Sequence, residues 1–192
     1  DFCLSRGLGD VYKRQTQLQA MMQFPCLDIC GSSYELYDRV LDLSLGVVSL
    51  PLYHDEIANS FKSASPIAHP TAMFRSSFFV KAGLYSPSHA TLAEDSRLWY
   101  SGLYTGCKFG NVGDVLYRLS VDAATFKRRS NVRQVIVIYK IRMRYIVHAR
   151  LGLGAACLAT LEFGCRLLLS CLTYLGFNSL VASAVSVYNR QR

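Results

Sequence analysis

The chain has 192 residues, 51 % of them apolar, and 21 lysines and arginines against 13 aspartates and glutamates, for a net charge of +8. That is long enough for one domain with its own core. The cysteines form no CxxC pair and no histidine stands at zinc-ligand spacing, which argues against a zinc module and a disulfide framework and favours a reducing compartment.

Residues 5–15 read SRGLGDVYKRQ. This run is similar to the translation of a transposon-end adapter used in sequencing libraries, so residues 1–15 are expected to be an adapter-derived artefact. The natural sequence is then expected to begin near Thr16, inside a reading frame that started earlier.

From there the elements follow in order. Residues 16–24 favour a helix, with Leu18, Met21 and Met22 on one side and a stop before Pro25. Leu27-Asp28-Ile29-Cys30-Gly31 reads as a short buried strand. Residues 34–50 fit a loose hairpin, or a strand plus loop. A short helix is expected over 54–62, where Ile57 and Phe61 stand four apart. A loop covers 63–70. Residues 71–74 are strand-like, and 76–82 helix-like with a stop at Gly83. Residues 85–91 are polar and turn-rich. A helix over 96–104 ends at Gly106, and 108–121 hold one or two strands. This alternation argues for an α/β domain.

After Asp122 no acidic residue occurs until Glu162, while Lys127, Arg128, Arg129, Arg133, Lys140, Arg142, Arg144 and Arg150 accumulate. On a helix, Arg133, Lys140 and Arg144 share a face. Residues 167–188 carry no formal charge and are long enough to span a bilayer. Asn178, Thr173 and several serines dilute them, and Glu162 and Arg166 interrupt the apolar region upstream, so an interfacial helix or hairpin is expected. The division is therefore 1–15 artefact, 16–122 α/β domain, and 123–192 basic then apolar helical tail.

The adjacent acids of Ala93-Glu94-Asp95-Ser96-Arg97-Leu98-Trp99 precede an apolar helix, which makes Asp95 a candidate general base at a pocket mouth. The first turn of a helix favours an ionised carboxylate. Thr91 and Glu94 fit a capping box, which gives Glu94 a structural alternative.

Four blocks in order, Ser65-Pro66-Ile67-Ala68-His69-Pro70-Thr71-Ala72-Met73-Phe74-Arg75, Lys81-Ala82-Gly83-Leu84-Tyr85, AEDSRLW over 93–99 and GCKFGNVGDVL over 106–116, together with the upstream Gln17, Pro25 and 27–31 segment, carry a likeness. Over roughly residues 17–135 the chain resembles the second half of bacterial family-two glycosyltransferases, which include enzymes of capsule, O-antigen and exopolysaccharide assembly. The resemblance implies part of a GT-A fold, a Rossmann-like mixed sheet with flanking helices, and inverting transfer of a sugar from a nucleotide-sugar, usually a UDP-sugar, to an acceptor hydroxyl. It implies that Asp95 deprotonates the hydroxyl. It also implies a divalent metal, Mg or Mn, held by an Asp-x-Asp motif in a nucleotide-binding half expected before residue 16. The fragment by itself is accordingly expected to be inactive. Expected partners are the donor, a saccharide or lipid-linked acceptor and the cytoplasmic membrane leaflet, with no nucleic acid.

Glu94, His69, Arg75, Trp99, Arg128 and Arg129 are candidate substrate-binding residues. Each has a plainer alternative: core or pocket wall for Trp99, a loop residue for His69, a solvated strand-end cation for Arg75, and the start of the basic face for Arg128 and Arg129. The chain departs from the family pattern at Ser65, where Asn is usual, and at Ser101 and Ser120, where cations are common. Arg97 and Arg118 lie nearby. A non-enzymatic membrane-surface module is the alternative function. Nucleic-acid binding is set aside, because the basic cluster adjoins an apolar tail and lacks interleaved exposed aromatics.

Overall fold

A computed structural model describes residues 5–38, 42–84, 93–121 and 131–175. Helix α1 spans Ser5–Gln23. Its outer turns leave Val11, Tyr12, Arg14 and Gln15 exposed, while Lys13 lies over the Tyr117 ring at 6.0 Å and Gln17 is the first buried residue described. The Gln17 side-chain amide donates to the carbonyls of Cys30 at 2.8 Å and Thr71 at 2.7 Å. Met21, one turn on, is buried as well.

The sheet is built on β1 (Ile29–Asp38). One side of β1 pairs in parallel with β4 (Phe109–Val121) along its whole length, with register shifts around Ser33. The other side pairs antiparallel with β3 (Met73–Phe74) at Ile29 and Cys30, then with β2 (Leu43–Val48) from Tyr34 onward. The hairpin reading of 34–50 is thus the one observed. The strand expected to close at Gly31 instead continues to Asp38. Ser32 and Ser33, beyond that expected end, are buried with polar groups satisfied: Ser32 N–H donates to Thr71 Oγ1 at 3.1 Å, and Ser33 Oγ accepts from Leu50 N–H at 3.2 Å.

A parallel pair needs a long crossover. Here it consists of β2, α2 (His54–Ser60), a 3₁₀ turn (His69–Thr71), β3, α3 (Ser76–Ala82) and α4 (Glu94–Tyr104). Glycine ends α3, since Gly83 sits at φ 83°, a region that L side chains rarely adopt. Ile29, Ile57, Phe61, Ile67, Phe78, Leu98, Trp99 and Phe109 form the core.

Helix α5 (Val132–His148) joins that same core through Ile141 and Tyr145. The Tyr145 ring meets Phe61 edge-on at 5.1 Å, and its hydroxyl donates to Ala58 O at 2.8 Å. Arg133, Lys140 and Arg144 are exposed together, as the helix periodicity predicts. Helix α6 (Gly152–Tyr174) packs on α5 as a hairpin through Ile146, Ala155 and Ala159, with Tyr139 stacked on Phe163 at 4.4 Å. The apolar helix therefore begins fifteen residues before the expected position at 167. Glu162 and Arg166 do not interrupt it, because they pair one turn apart at 2.8 Å. Residues 176–188 of the expected apolar run lie outside the described residues.

Candidate functional site

Helix α4 starts at Ala93, which holds a left-handed φ of 56° and offers no side-chain cap. This corrects the capping box expected from Thr91, a residue outside the described ones. Glu94 is exposed and Asp95 half-buried, both in the first turn. Asp95 Oδ1 accepts the backbone N–H of Ser96 at 2.7 Å and lies 3.4 Å from its hydroxyl. Two carboxylates at the N-terminal end of a helix are electrostatically favourable there.

Trp99 stands one turn below Asp95 on the same face of α4. It is fully buried, with its ring stacked on Phe74 at 6.0 Å and edge-on to Phe109 at 6.3 Å. This corrects the substrate-binding assignment: Trp99 presents no face to a ligand, because α4, β3 and β4 close over it as core. Its indole nitrogen is buried without a hydrogen-bond partner, as is Arg97 Nε. His69, exposed at the start of the 3₁₀ turn, lies 6.1 Å from the Trp99 ring. His69 thus flanks the helix face that carries Asp95 one turn above.

Arg75 is also corrected. Its Nε donates to Leu27 O at 2.7 Å and its Nη2 to Met21 O, so the guanidinium satisfies the last turn of α1 and the entry to β1. With Nε and Nη2 turned to backbone carbonyls, Arg75 is not the solvated strand-end cation of the plainer reading. Arg128 and Arg129 lie outside the described residues. Arg118 pairs with Glu35 at 2.6 Å and covers the Tyr37 ring at 4.7 Å. Two of the three serines at which the resemblance breaks have local partners: Ser101 Oγ donates to Ala82 O at 2.5 Å, and Ser65 Oγ to Ile67 O at 3.1 Å.

Two polar residues escaped the sequence reading although they join the blocks. Asn111 Nδ2 donates to Pro51 O at 2.6 Å and Pro66 O at 3.0 Å, tying the Pro66–Pro70 segment to β4. Asp28 is buried where the starts of β1 and β4 meet α3. It accepts from Lys81 Nζ at 2.8 Å, Lys108 N–H at 2.9 Å and Ser77 Oγ at 3.4 Å. Burial pushes its pKa up, but these donors and the Lys81 charge outweigh burial and hold it below its ordinary 3.8. An acid inside an apolar strand and an amide inside another were the available signals.

Among the described residues no three histidine, cysteine, aspartate or glutamate side chains lie together as a metal site. The resemblance assigns the divalent cation to a segment before residue 16, and no described residue is offered as its ligand. No family model matches the chain, and neither the curated proteins nor the solved structures give a match.

Proposed function

We propose that this chain is the acceptor-side part of an inverting glycosyltransferase of GT-A type that uses a nucleotide-sugar, with Asp95 as general base. The observation that carries the reading is the convergence of blocks far apart in sequence. Asn111 of the fourth block holds Pro66 of the first, and Lys81 of the second reaches Asp28 upstream. His69 and Phe74 of the first flank Trp99 of the third, and Phe109 of the fourth closes the other side. Asp95 and His69 sit at the rim of this assembly, while the apolar members fill its inside.

In the reaction, Asp95 takes the proton of the acceptor hydroxyl as that oxygen forms its bond to the anomeric carbon. The bond from that carbon to the nucleotide diphosphate breaks from the opposite side, and its electron pair leaves with the phosphate oxygen. A carboxylate suits the role because it is ionised at neutral pH and can be held within hydrogen-bond reach of the hydroxyl.

The test is to recover the reading frame upstream of residue 16 from its source DNA, express the extended protein, and assay transfer from a panel of nucleotide-sugars. Asp95→Asn is expected to lower kcat by about a thousandfold or more at unchanged thermal stability. Near-normal turnover in that variant would rule out the base role. An upstream segment without strands and an Asp-x-Asp pair would rule out the family reading.

A further inference from the structure

We infer that the α5–α6 hairpin docks on an anionic lipid bilayer, with α6 lying in the plane of the interface and its outward face in the acyl boundary. The inference stands apart from the transferase reading and needs no role for Asp95.

Helix α6 is arranged opposite to a helix that faces water. Its outward positions are Leu153 (85 % exposed), Cys157, Leu161 (68 %), Leu168 (62 %) and Cys171, at helical spacing along one side. Thr160 is exposed beside them but bonds to Tyr139 of α5 at 3.2 Å, and the ion pair of the helix is turned toward α5, with the Arg166 side chain 39 % exposed. The Glu162 side chain is only 11 % exposed and pairs with Arg166, and Ser170 is buried. Arg166 lines the small recess between the helices together with Tyr139, Arg142 and Phe163. Water would reward the reverse arrangement, whereas a lipid boundary rewards this one.

Charge selects the occupant. The exposed cations of the hairpin are Arg133, Lys140, Arg144 and Arg150, while Arg142 is buried and Arg166 is paired with the acid Glu162. A second copy meeting this one hairpin to hairpin would bring two strongly cationic surfaces together, and a neutral apolar partner would leave the charge unanswered. Anionic head groups satisfy both the charge and the leucines, each nearby cation contributing on the order of 1 kcal/mol.

Geometry selects the orientation. Among the described residues α6 is the one helix long and apolar enough to cross a membrane. It is packed lengthwise on α5, however, with Tyr139 on Phe163 and Ile146 on Ala155 and Ala159. A spanning α6 would carry Lys140, Arg142 and Arg144 to membrane depth beside it and pull Ile141 and Tyr145 from the core. Lying flat, it keeps both.

The test uses the intact chain and vesicles of phosphatidylcholine, alone or with phosphatidylglycerol. In flotation the chain is expected to bind the mixed vesicles, with binding weakened by salt, and to bind pure phosphatidylcholine about tenfold less. Leu161→Asp with Leu168→Asp should weaken binding to the mixed vesicles about tenfold or more at unchanged circular dichroism. A readout on the unaltered chain is the maleimide labelling rate of each cysteine. Mixed vesicles should slow Cys157 and Cys171 while leaving exposed Cys26 unchanged. Equal binding by the double variant, unprotected Cys157 and Cys171, or a concentration-dependent dimer that forms without binding vesicles would each overturn the proposal.

Discussion

Lys81 Nζ lies 2.8 Å from Asp28 Oδ1, joining the last turn of α3 to the point where β1 begins. The other oxygen of the same carboxylate accepts the backbone N–H of Lys108 just before β4. One buried acid thus fixes how two parallel strands start and where the following helix sits. Asp28→Ala leaves the Lys108 N–H without its acceptor, and we expect a loss of about 2–4 kcal/mol in urea unfolding. Lys81→Ala, which removes an exposed partner, should have a smaller effect.

The pH dependence of that site has a definite sign. The folded pKa of Asp28 is below its unfolded value of 3.8, so its contribution is fully present above that value. It is lost as pH falls through the lower folded value. The urea midpoint should therefore drop below pH about 4 in the natural chain and drop less in Asp28→Asn.

His54 makes a second, separate acid sensitivity. Its Nδ1 accepts the Phe109 N–H at 3.2 Å, which requires the neutral ring. Burial, and then the nearby Lys108 charge, lower its pKa below the ordinary 6.5 against an opposing pull from Asp55. Stability from this contact is present above pH 6.5 and declines as pH falls through the folded value. His54→Gln should remove the slope that sets in below pH 6.5 in a denaturant series while leaving the Asp28 limb in place.

Gly31 and Asn111 are matched by shape. A Cβ built on Gly31 would stand 2.2 Å from Asn111 Oδ1 and 3.1 Å from Ile67, inside the sheet. Gly31→Ala should therefore destabilise by about 1–3 kcal/mol in thermal or urea unfolding. Asn111→Ala with Gly31→Ala relieves the clash but leaves the Pro51 and Pro66 carbonyls without their donor, so the double variant should not recover full stability.

The anchoring of α1 predicts that its two ends behave differently. Removing residues 1–15 should lower the unfolding midpoint only slightly, since it takes away the Lys13 contact with the Tyr117 ring but leaves the buried Gln17 bonds. Gln17→Ala strips a donor from two buried carbonyls and should remove roughly 1–3 kcal/mol. A large loss on the deletion would show that the first turns of α1 belong to the fold.

Most elements were legible because their signals are local. Pro25 and Gly83 end helices where expected, and the spacing of Ile57 and Phe61 marks the buried side of α2. What escaped was fixed at long range. The continuation of β1 past Gly31 rests on Thr71 and Leu50, which partner Ser32 and Ser33 from distant positions. Glu162 and Arg166 look like an interruption until helix geometry brings them together. Arg75 looks available until the end of α1 occupies its donors. Of the candidate site, the place of Asp95 on α4 was readable from the motif. The burial of Trp99 was not, because it depends on β3 and β4 arriving from either side of it.

The parallel pairing of β1 with β4 also bears on how the chain comes to be folded. Asp28 and Lys108, which open that pairing, are separated by eighty positions along the backbone. The β1–β2 hairpin can close as soon as both strands leave the ribosome, whereas the central strand waits with one edge open until most of the polypeptide has been made. Closing so large a loop is entropically slow. Synthesis should therefore include an interval in which a nascent, half-covered sheet is vulnerable to sticking, and trigger-type chaperones would act during that interval.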